Sequence, residues 1–273
     1  MTFFEKLDTS VKINNSLLCV GLDADIHNIP KHLVEENEDH VFEFNKAIID
    51  ATQNLVCAYK PNSAYYEADG IEGLASLEKT IEYIHSTYPD IPVILDAKRA
   101  DIGSTSEHYA MAAFDYFKAD ALTLHPYMGK DSLEFFLKRQ DKGCIILCRT
   151  SNPSATDFQD LIVEGKPLYS RIAEKVVEWD KQYHNCLMVV GATWPEQMGE
   201  IRAIAPEMNF LVPGIGSQGG KLEEIMKAGL RPDKAGLIIN AGRSIIYASL
   251  HEDFAEKARR QAQKLRDEIN KYR

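Results

Sequence analysis

A chain of 273 residues with 45% hydrophobic and 26% charged side chains carries enough apolar material for a sizeable core, which argues against disorder. A formal charge of -10 and a pI near 5.3 argue against a broad basic face for nucleic acid or anionic lipid, but leave room for a local site that takes one small anion. No apolar run approaches the roughly 20 residues of a membrane span, and residues 1–10 carry Glu5, Lys6 and Asp8 where a secretory leader needs an apolar stretch. The five cysteines, Cys19, Cys57, Cys144, Cys148 and Cys186, are odd in number and sit mostly in apolar runs, the pattern of reduced, packed thiols and of a cytosolic location.

In chain order, a β-rich run at 17–23 is followed by a polar loop at 26–37 and helical material at 39–53. A second run at 55–61 precedes 71–86, where Ile71, Leu74, Leu77, Ile81 and Ile84 recur at helical spacing and the pattern ends before Pro89. Further runs lie at 92–98, 121–125 and 144–148, with a helix predicted over 104–117 and a long loop over 150–166 rich in Ser, Asn, Pro and Asp. The remaining elements are a helix at 168–183, strands at 187–191 and 210–213, a helix at 221–228, a strand at 236–240 and a charged terminal helix at 253–273. Near-continuous apolar strands suggest burial on both faces. Eight strands alternating with helices imply parallel β-α-β units, and that number favours a closed (β/α)8 TIM barrel over an open sheet. With no linker or composition break, the expectation is one α/β domain over 1–273.

The most informative stretch is Ile94-Leu95-Asp96-Ala97-Lys98-Arg99-Ala100-Asp101-Ile102. Side chains alternate faces along a strand, so Asp96 and Lys98 share one face and meet at the barrel mouth if that face points inward. One such pair could be a structural ion pair, since a buried charge costs several kcal/mol unless it is paired. The first strand, however, ends in Leu22-Asp23 and the second in Tyr59-Lys60-Pro61-Asn62. Asp23, Lys60, Asp96 and Lys98 at matching strand ends read as an active site, and Asp101 in the next turn extends the array. The turn Pro213-Gly214-Ile215-Gly216-Ser217-Gln218-Gly219-Gly220 and the run Asn240-Ala241-Gly242-Arg243-Ser244 follow the seventh and eighth strands, where barrels commonly bind phosphate. Glycines admit close backbone approach to an anion and Arg243 offers a bidentate fork. His125 is read as structural. No His-Glu-x-x-His pattern, metal-ligand cluster or dinucleotide fingerprint occurs.

Asp96-x-Lys98-x-x-Asp101-Ile102 closely resembles the signature of the orotidine 5'-phosphate decarboxylases. Leu147-Cys148-Arg149-Thr150-Ser151-Asn152-Pro153 is similar to the fifth-strand segment of the longer bacterial branch of that family, and Pro213-Gly214-Ile215-Gly216 and Gly242-Arg243 are similar to its phosphate turns. The resemblance implies that Asp23 and Lys60 engage the ribose, that Asp96 lies beside the substrate carboxylate, and that Lys98 donates the proton replacing it. It further implies that Ser151 faces the pyrimidine, Gln218 bridges base and phosphate, Arg243 holds the phosphate, and the loop after Ser151 closes over it. In a homodimer of the family's kind, Asp101 and Thr105 enter the neighbouring site. Gly103 departs from the proline that many members carry there. The implied partners are orotidine 5'-phosphate and UMP, with no cofactor, since no pyridoxal or thiamine site is apparent to stabilise a C6 carbanion. Two rivals stay open: a Mg2+-dependent hexulose-phosphate-synthase-like lyase, which shares the Asp-x-Lys-x-x-Asp pattern, and a nucleotide-binding protein without turnover. A Schiff-base aldolase using Lys60 or Lys98 is a weaker third.

Overall fold

The computed structural model describes residues 1–215 and 222–273. Eight parallel strands coincide with the eight apolar runs: β1 Leu18–Gly21, β2 Ala58–Lys60, β3 Ile94–Arg99, β4 Ala121–Leu124, β5 Gly143–Arg149, β6 Cys186–Val190, β7 Phe210–Pro213 and β8 Leu237–Ala241. Their hydrogen-bonded order is β2-β1-β8-β7-β6-β5-β4-β3. The two ends of that ladder meet, because the Tyr59 N–H donates to the Pro92 carbonyl at 3.1 Å and the Asp96 N–H to the Pro61 carbonyl at 2.9 Å. The sheet thus curls into a nearly closed barrel.

Strand alternation sorts the side chains. One residue from each strand, Cys19, Ala58, Ile94, Ala121, Ile145, Leu187, Leu211 and Ile238, points inward and joins a single apolar cluster. The alternate residues face outward into the larger core beneath the helices, so both faces are dry, as parallel sheets require. The main covering helices are His40–Thr52, Gly70–Thr87, Gly103–Met111, Leu168–Tyr183, Leu222–Gly229 and Phe254–Asn270, close to the predicted segments. Gly103–Met111 runs on into a wider π turn over Ala112–Tyr116.

Two of the longer helices among the described residues, besides short ones such as Ser63–Ala68, were not anticipated. Phe3–Ile13 is a helix held by a reciprocal Thr2–Glu5 cap, and its Phe3 and Leu7 close the bottom of the apolar cluster. Lys6 anchors it to Asp120 at 2.7 Å. The signal was present in Phe3, Phe4, Leu7 and Val11, spaced for one helix face, in a segment weighed only as a leader. Pro195–Ile204, with proline in its first turn, supplies the covering helix between β6 and β7. The predicted loops are also partly ordered: Ile26–Asn28 and Lys31–Glu36 are short helical segments. The segment after β5 folds into a helical stretch, Pro153–Asp157, and a small antiparallel hairpin pairing Ile162–Val163 with Lys166–Pro167.

Candidate active site

Moving two residues up each strand from the inward apolar layer reaches Gly21, Lys60, Asp96, Thr123, Leu147, Val189, Pro213 and Asn240. All of these except Gly21 line a cavity of about 450 Å³ at the C-terminal end of the barrel. Loop residues complete the wall, including Asp23, Asn62, Thr150, Ser151, Gly214, Gly242 and Arg243. The same two-residue period that builds a dry core therefore builds a polar floor directly above it.

Asp96 is the centre of that floor. Lys60 Nζ lies 2.7 Å from its Oδ2 and Lys98 Nζ 2.6 Å from its Oδ1, while the Thr123 hydroxyl donates to Oδ1 at 2.9 Å. Burial alone would raise the Asp96 carboxyl; the two ammonium groups outweigh it and hold the group well below the ordinary carboxylate range. Lys60 shows the mirror case: burial opposes its charge, but Asp96 and Asp23 overcome this and raise its pKa. The two lysines differ in access. Lys60 is only 4% exposed at its side chain, whereas Lys98 is 51% exposed and reaches the open cavity.

An irregularity in β3 makes this arrangement. Pairing with β4 runs from Leu95–Leu122 to Arg99–Leu124, so β3 carries extra residues across that interval. Lys98 sits there with φ +48°, a left-handed conformation that a non-glycine residue adopts only when its surroundings enforce it. The Thr123 hydroxyl helps to do so by accepting the Lys98 N–H at 3.0 Å.

Asp23, at the end of β1, is half-buried, and its buried Oδ1 has no hydrogen-bond partner among the described residues. Burial pushes its pKa up, with Lys60 opposing. The Oδ1 of Asn240, also in the cavity wall, is likewise unpartnered. Two buried acceptors without donors are costly and suit a ligand that brings hydroxyl groups. On the β7–β8 side, Gly214 adopts φ +102°, a conformation that side-chain-bearing residues rarely adopt, and it lines the cavity together with Arg243. Arg243 is exposed at the rim and makes no ion pair among the described residues. Gly216 and Gln218, the other predicted members of this turn, lie outside the described residues.

Ser151 sits in the cavity wall after β5. Its backbone packs so closely on β6 that a Cβ at Gly191 would stand 2.7 Å from the Ser151 nitrogen. Asp101 and Thr105 do not line the cavity of their own chain: Asp101 accepts the Ile102 N–H at 2.8 Å and Thr105 is exposed. Gly103, between them, has φ +54°, which a proline ring cannot adopt. His125 lies outside the cavity wall, half-buried, and burial lowers its pKa.

Sequence reasoning missed the polar wall residues Asn62, Thr123, Thr150, Asn152 and Asn240 as site members, along with the apolar Leu147, Val189, Leu211 and Ile215. Thr123 was accessible from the inward parity of β4, and the other four polar residues lie in runs already singled out for their neighbours. All five cysteines are buried and free. Burial pushes Cys19, directly beneath the floor, up to about 12, so it stays a neutral packing group. Among the described residues no group of three or more His, Cys, Asp or Glu is placed to hold a metal ion.

A model of the orotidine 5'-phosphate decarboxylase / HUMPS family matches residues 16–258. The chain is 52% identical over 271 residues to the orotidine 5'-phosphate decarboxylase of Cellvibrio japonicus, covering 99% of this chain and 98% of that protein. The protein of the same name from Azoarcus sp. is 50% identical over 273 residues and is covered completely, as is this chain. Among solved structures, the OMP decarboxylase of Leishmania donovani aligns with a TM-score of 0.85 and 38% identity over 100% of this chain and 98% of that one. The UMP synthase of the same organism aligns with a TM-score of 0.88 and 40% identity over 99% of this chain. The match spans 56% of that longer protein.

Proposed function

The chain belongs to the orotidine 5'-phosphate decarboxylase / HUMPS family, and from that premise we propose that it removes CO2 from orotidine 5'-phosphate directly, with Lys98 as proton donor and no metal or organic cofactor. It is a carboxy-lyase of pyrimidine biosynthesis. The observation that carries the proposal is the clamp on Asp96, whose two oxygens are each held by a lysine.

In this reading the phosphate docks between the backbone of Pro213, Gly214 and Gly242 and the guanidinium of Arg243, with Gly216 and Gln218 completing the turn. The ribose hydroxyls fill the unmet acceptor at Asp23 and reach Lys60. The pyrimidine lies toward Ser151, and its C6 carboxylate stands over the Asp96–Lys98 pair. The C6–carboxylate bond breaks, CO2 leaves, and the electron pair stays on C6. The Lys98 ammonium then donates a proton to C6, giving UMP, and the lysine recovers its proton from solvent through its exposed side. Lys60, buried and fixed on Asp96, keeps that carboxylate ionised and aimed, so the electrostatic field is set before the substrate arrives. Lys98, half in the cavity, is the group free to follow the reacting carbon.

The assembly we propose is a homodimer. Ile102, adjacent to Asp101 in the chain, is 59% exposed, an apolar side chain of the kind an interface would use. Dimerisation would carry Asp101 and Thr105 into the partner's cavity, for which they have no use in their own. Residues 1–273 act in this scheme as one barrel domain. The buried free thiols suit the reducing cytoplasm, and no helix among the described residues is long and apolar enough to cross a membrane.

The test is direct. Purified protein is mixed with orotidine 5'-phosphate in the presence of EDTA, the ultraviolet change is followed, and UMP is identified by mass. Conversion that persists with EDTA and is abolished in Lys98→Ala is the expected result. Near-normal turnover by Lys98→Ala removes the proton-donor role; turnover that requires Mg2+ points to the metal-dependent sister lyases; UMP binding without any conversion points to a binding protein.

A further inference from the structure

β5 ends in a bulge of its own. Pairing with β6 steps from Leu147–Val189 to Arg149–Val190, one extra residue on the β5 side. Strict alternation from Ile145 and Leu147 would aim Arg149 into the cavity, a third cation beside Lys60 and Lys98. The bulge re-aims it. Arg149 is absent from the cavity wall, is 0% exposed, and stacks its guanidinium 4.5 Å from the Trp194 ring centre.

A buried guanidinium is tolerated only where it is paired, and here its Nη1 and Nη2 find hydrogen-bond acceptors in the loop that carries Ser151, while Nε is held near Asp160 as an ion pair without a hydrogen bond of its own. Arg149 Nη1 donates to the Thr150 carbonyl at 2.9 Å. Its Nη2 donates to Asp160 Oδ2 at 3.1 Å, and its Nε lies 3.0 Å from Asp160 Oδ1. Gln159 closes the circuit: its Oε1 accepts the Thr150 N–H at 2.8 Å and its Nε2 donates to the Thr150 hydroxyl at 2.9 Å. The residue before Ser151 is therefore tied to residues 159–160, about ten positions further along the loop. On the other flank, the Thr193 hydroxyl donates to the Ser151 carbonyl at 3.3 Å. Within the segment expected as a lid over 150–166, the stretch 150–160 is clasped at its two ends, leaving the arch 152–158 between them.

We propose that Arg149 is a positioning residue for base recognition: by fixing Thr150 against Asp160 and Gln159, it sets Ser151 at the pyrimidine and couples the arch 152–158 to that setting. The inference rests on the decarboxylase reading for the identity of the base. It distinguishes Arg149 from a side chain that merely stabilises the fold, because loss of the clasp should be felt by the base of a nucleotide and not by its sugar phosphate, which is held by β7, β8 and β1.

The experiment compares UMP with ribose 5-phosphate, which lacks the base, by calorimetric titration of wild type, Arg149→Lys and Gln159→Ala. Lysine keeps the cation for Asp160 but loses the planar fork that reaches Thr150 at the same time. The expected result for Arg149→Lys is about tenfold weaker UMP binding with ribose 5-phosphate changed by less than about twofold, and for Gln159→Ala a shift of about threefold in the same ratio. Equal weakening of both ligands, or an unchanged ratio in folded Arg149→Lys, overturns the proposal. If Arg149→Lys does not give a cooperative melt, Gln159→Ala decides alone, and an unchanged ratio there overturns it. Wild type that binds UMP but releases no CO2 from orotidine 5'-phosphate sinks the decarboxylase reading while the ratio still judges Arg149.

Discussion

Thr123 donates its hydroxyl to Asp96 Oδ1 at 2.9 Å and accepts the Lys98 N–H at 3.0 Å. One short side chain on β4 thereby aims the central carboxylate and holds the left-handed backbone of the neighbouring lysine. Valine at this position keeps the shape but removes both bonds, leaving the Lys98 N–H without its acceptor. We expect Thr123→Val to cost about 1–3 kcal/mol of stability and to lower kcat/KM by about tenfold through misplacement of the Lys98 ammonium. Thermal melts and steady-state kinetics read the two effects; unchanged values in both would show that the hydroxyl is a bystander.

Lys60 and Lys98 touch the same carboxylate, yet their removal should produce opposite signatures. Lys60 is buried, so Lys60→Met strips a partner from a carboxylate that stays buried and charged, and should destabilise the fold by about 3–5 kcal/mol. Lys98 reaches the open cavity, so Lys98→Met should cost less than about 1 kcal/mol of stability while lowering turnover by at least about 100-fold as the proton donor is lost. Denaturant titration beside a turnover assay separates the cases. A Lys98→Met protein as destabilised as Lys60→Met would mean that Lys98 is chiefly structural.

How far the site was legible follows from which physical rule placed each residue. Asp23, Lys60 and Asp96 were readable because they end apolar runs, and the two-residue period of a strand is simple arithmetic. Thr123 and Asn240 obey the same arithmetic but carry no charge to attract notice. The bulges were not readable. Nothing in the residue types shows that β3 pairs irregularly at Lys98 or that β5 turns Arg149 away from the cavity, because register depends on which carbonyl the neighbouring strand offers. The amphipathic helix at Phe3–Ile13 was visible in its apolar spacing, whereas its role as the barrel's floor depends on where Asp120 and Gly143 lie in the folded chain. Asp101 and Thr105 mark another boundary: their chain's own cavity does not include them.

Asp23 gives a pH signature. Burial raises its pKa above the ordinary value of 3.8, so the folded protein favours the protonated form. The contribution of this group to stability is present below 3.8 and is lost as the pH rises through the raised pKa. Above its raised pKa, where the group is ionised, a carboxylate whose buried Oδ1 lacks a donor is a cost. Asp23→Asn should therefore raise the melting temperature at about pH 8, with the gain shrinking as the pH is lowered toward about 4, while UMP binding weakens about tenfold for want of a charged acceptor for the ribose. Asp96 works in the opposite sense, its contribution being present above 3.8 and lost only below it, so it should not blur this window. A gain from Asp23→Asn that is constant with pH would rule out the ionised carboxylate as its source.

The dimer reading makes a demand that no single-chain scheme can meet. On the proposed mechanism, Lys98→Ala chains lack the proton donor but carry an intact Asp101 to lend, and Asp101→Asn chains keep the donor but have no Asp101 to offer. Each homodimer has two defective sites. If Asp101 serves the neighbouring cavity, a hybrid of the two chains has one site with both defects and one with neither. Equal amounts of the two variants, unfolded together and refolded, form hybrids as half of all dimers, and activity should return to about a quarter of the wild-type value. Mixing without subunit exchange should return none. Inactivity of the refolded mixture, with hybrid dimers demonstrated by differential tagging, would place Asp101 in the service of its own chain.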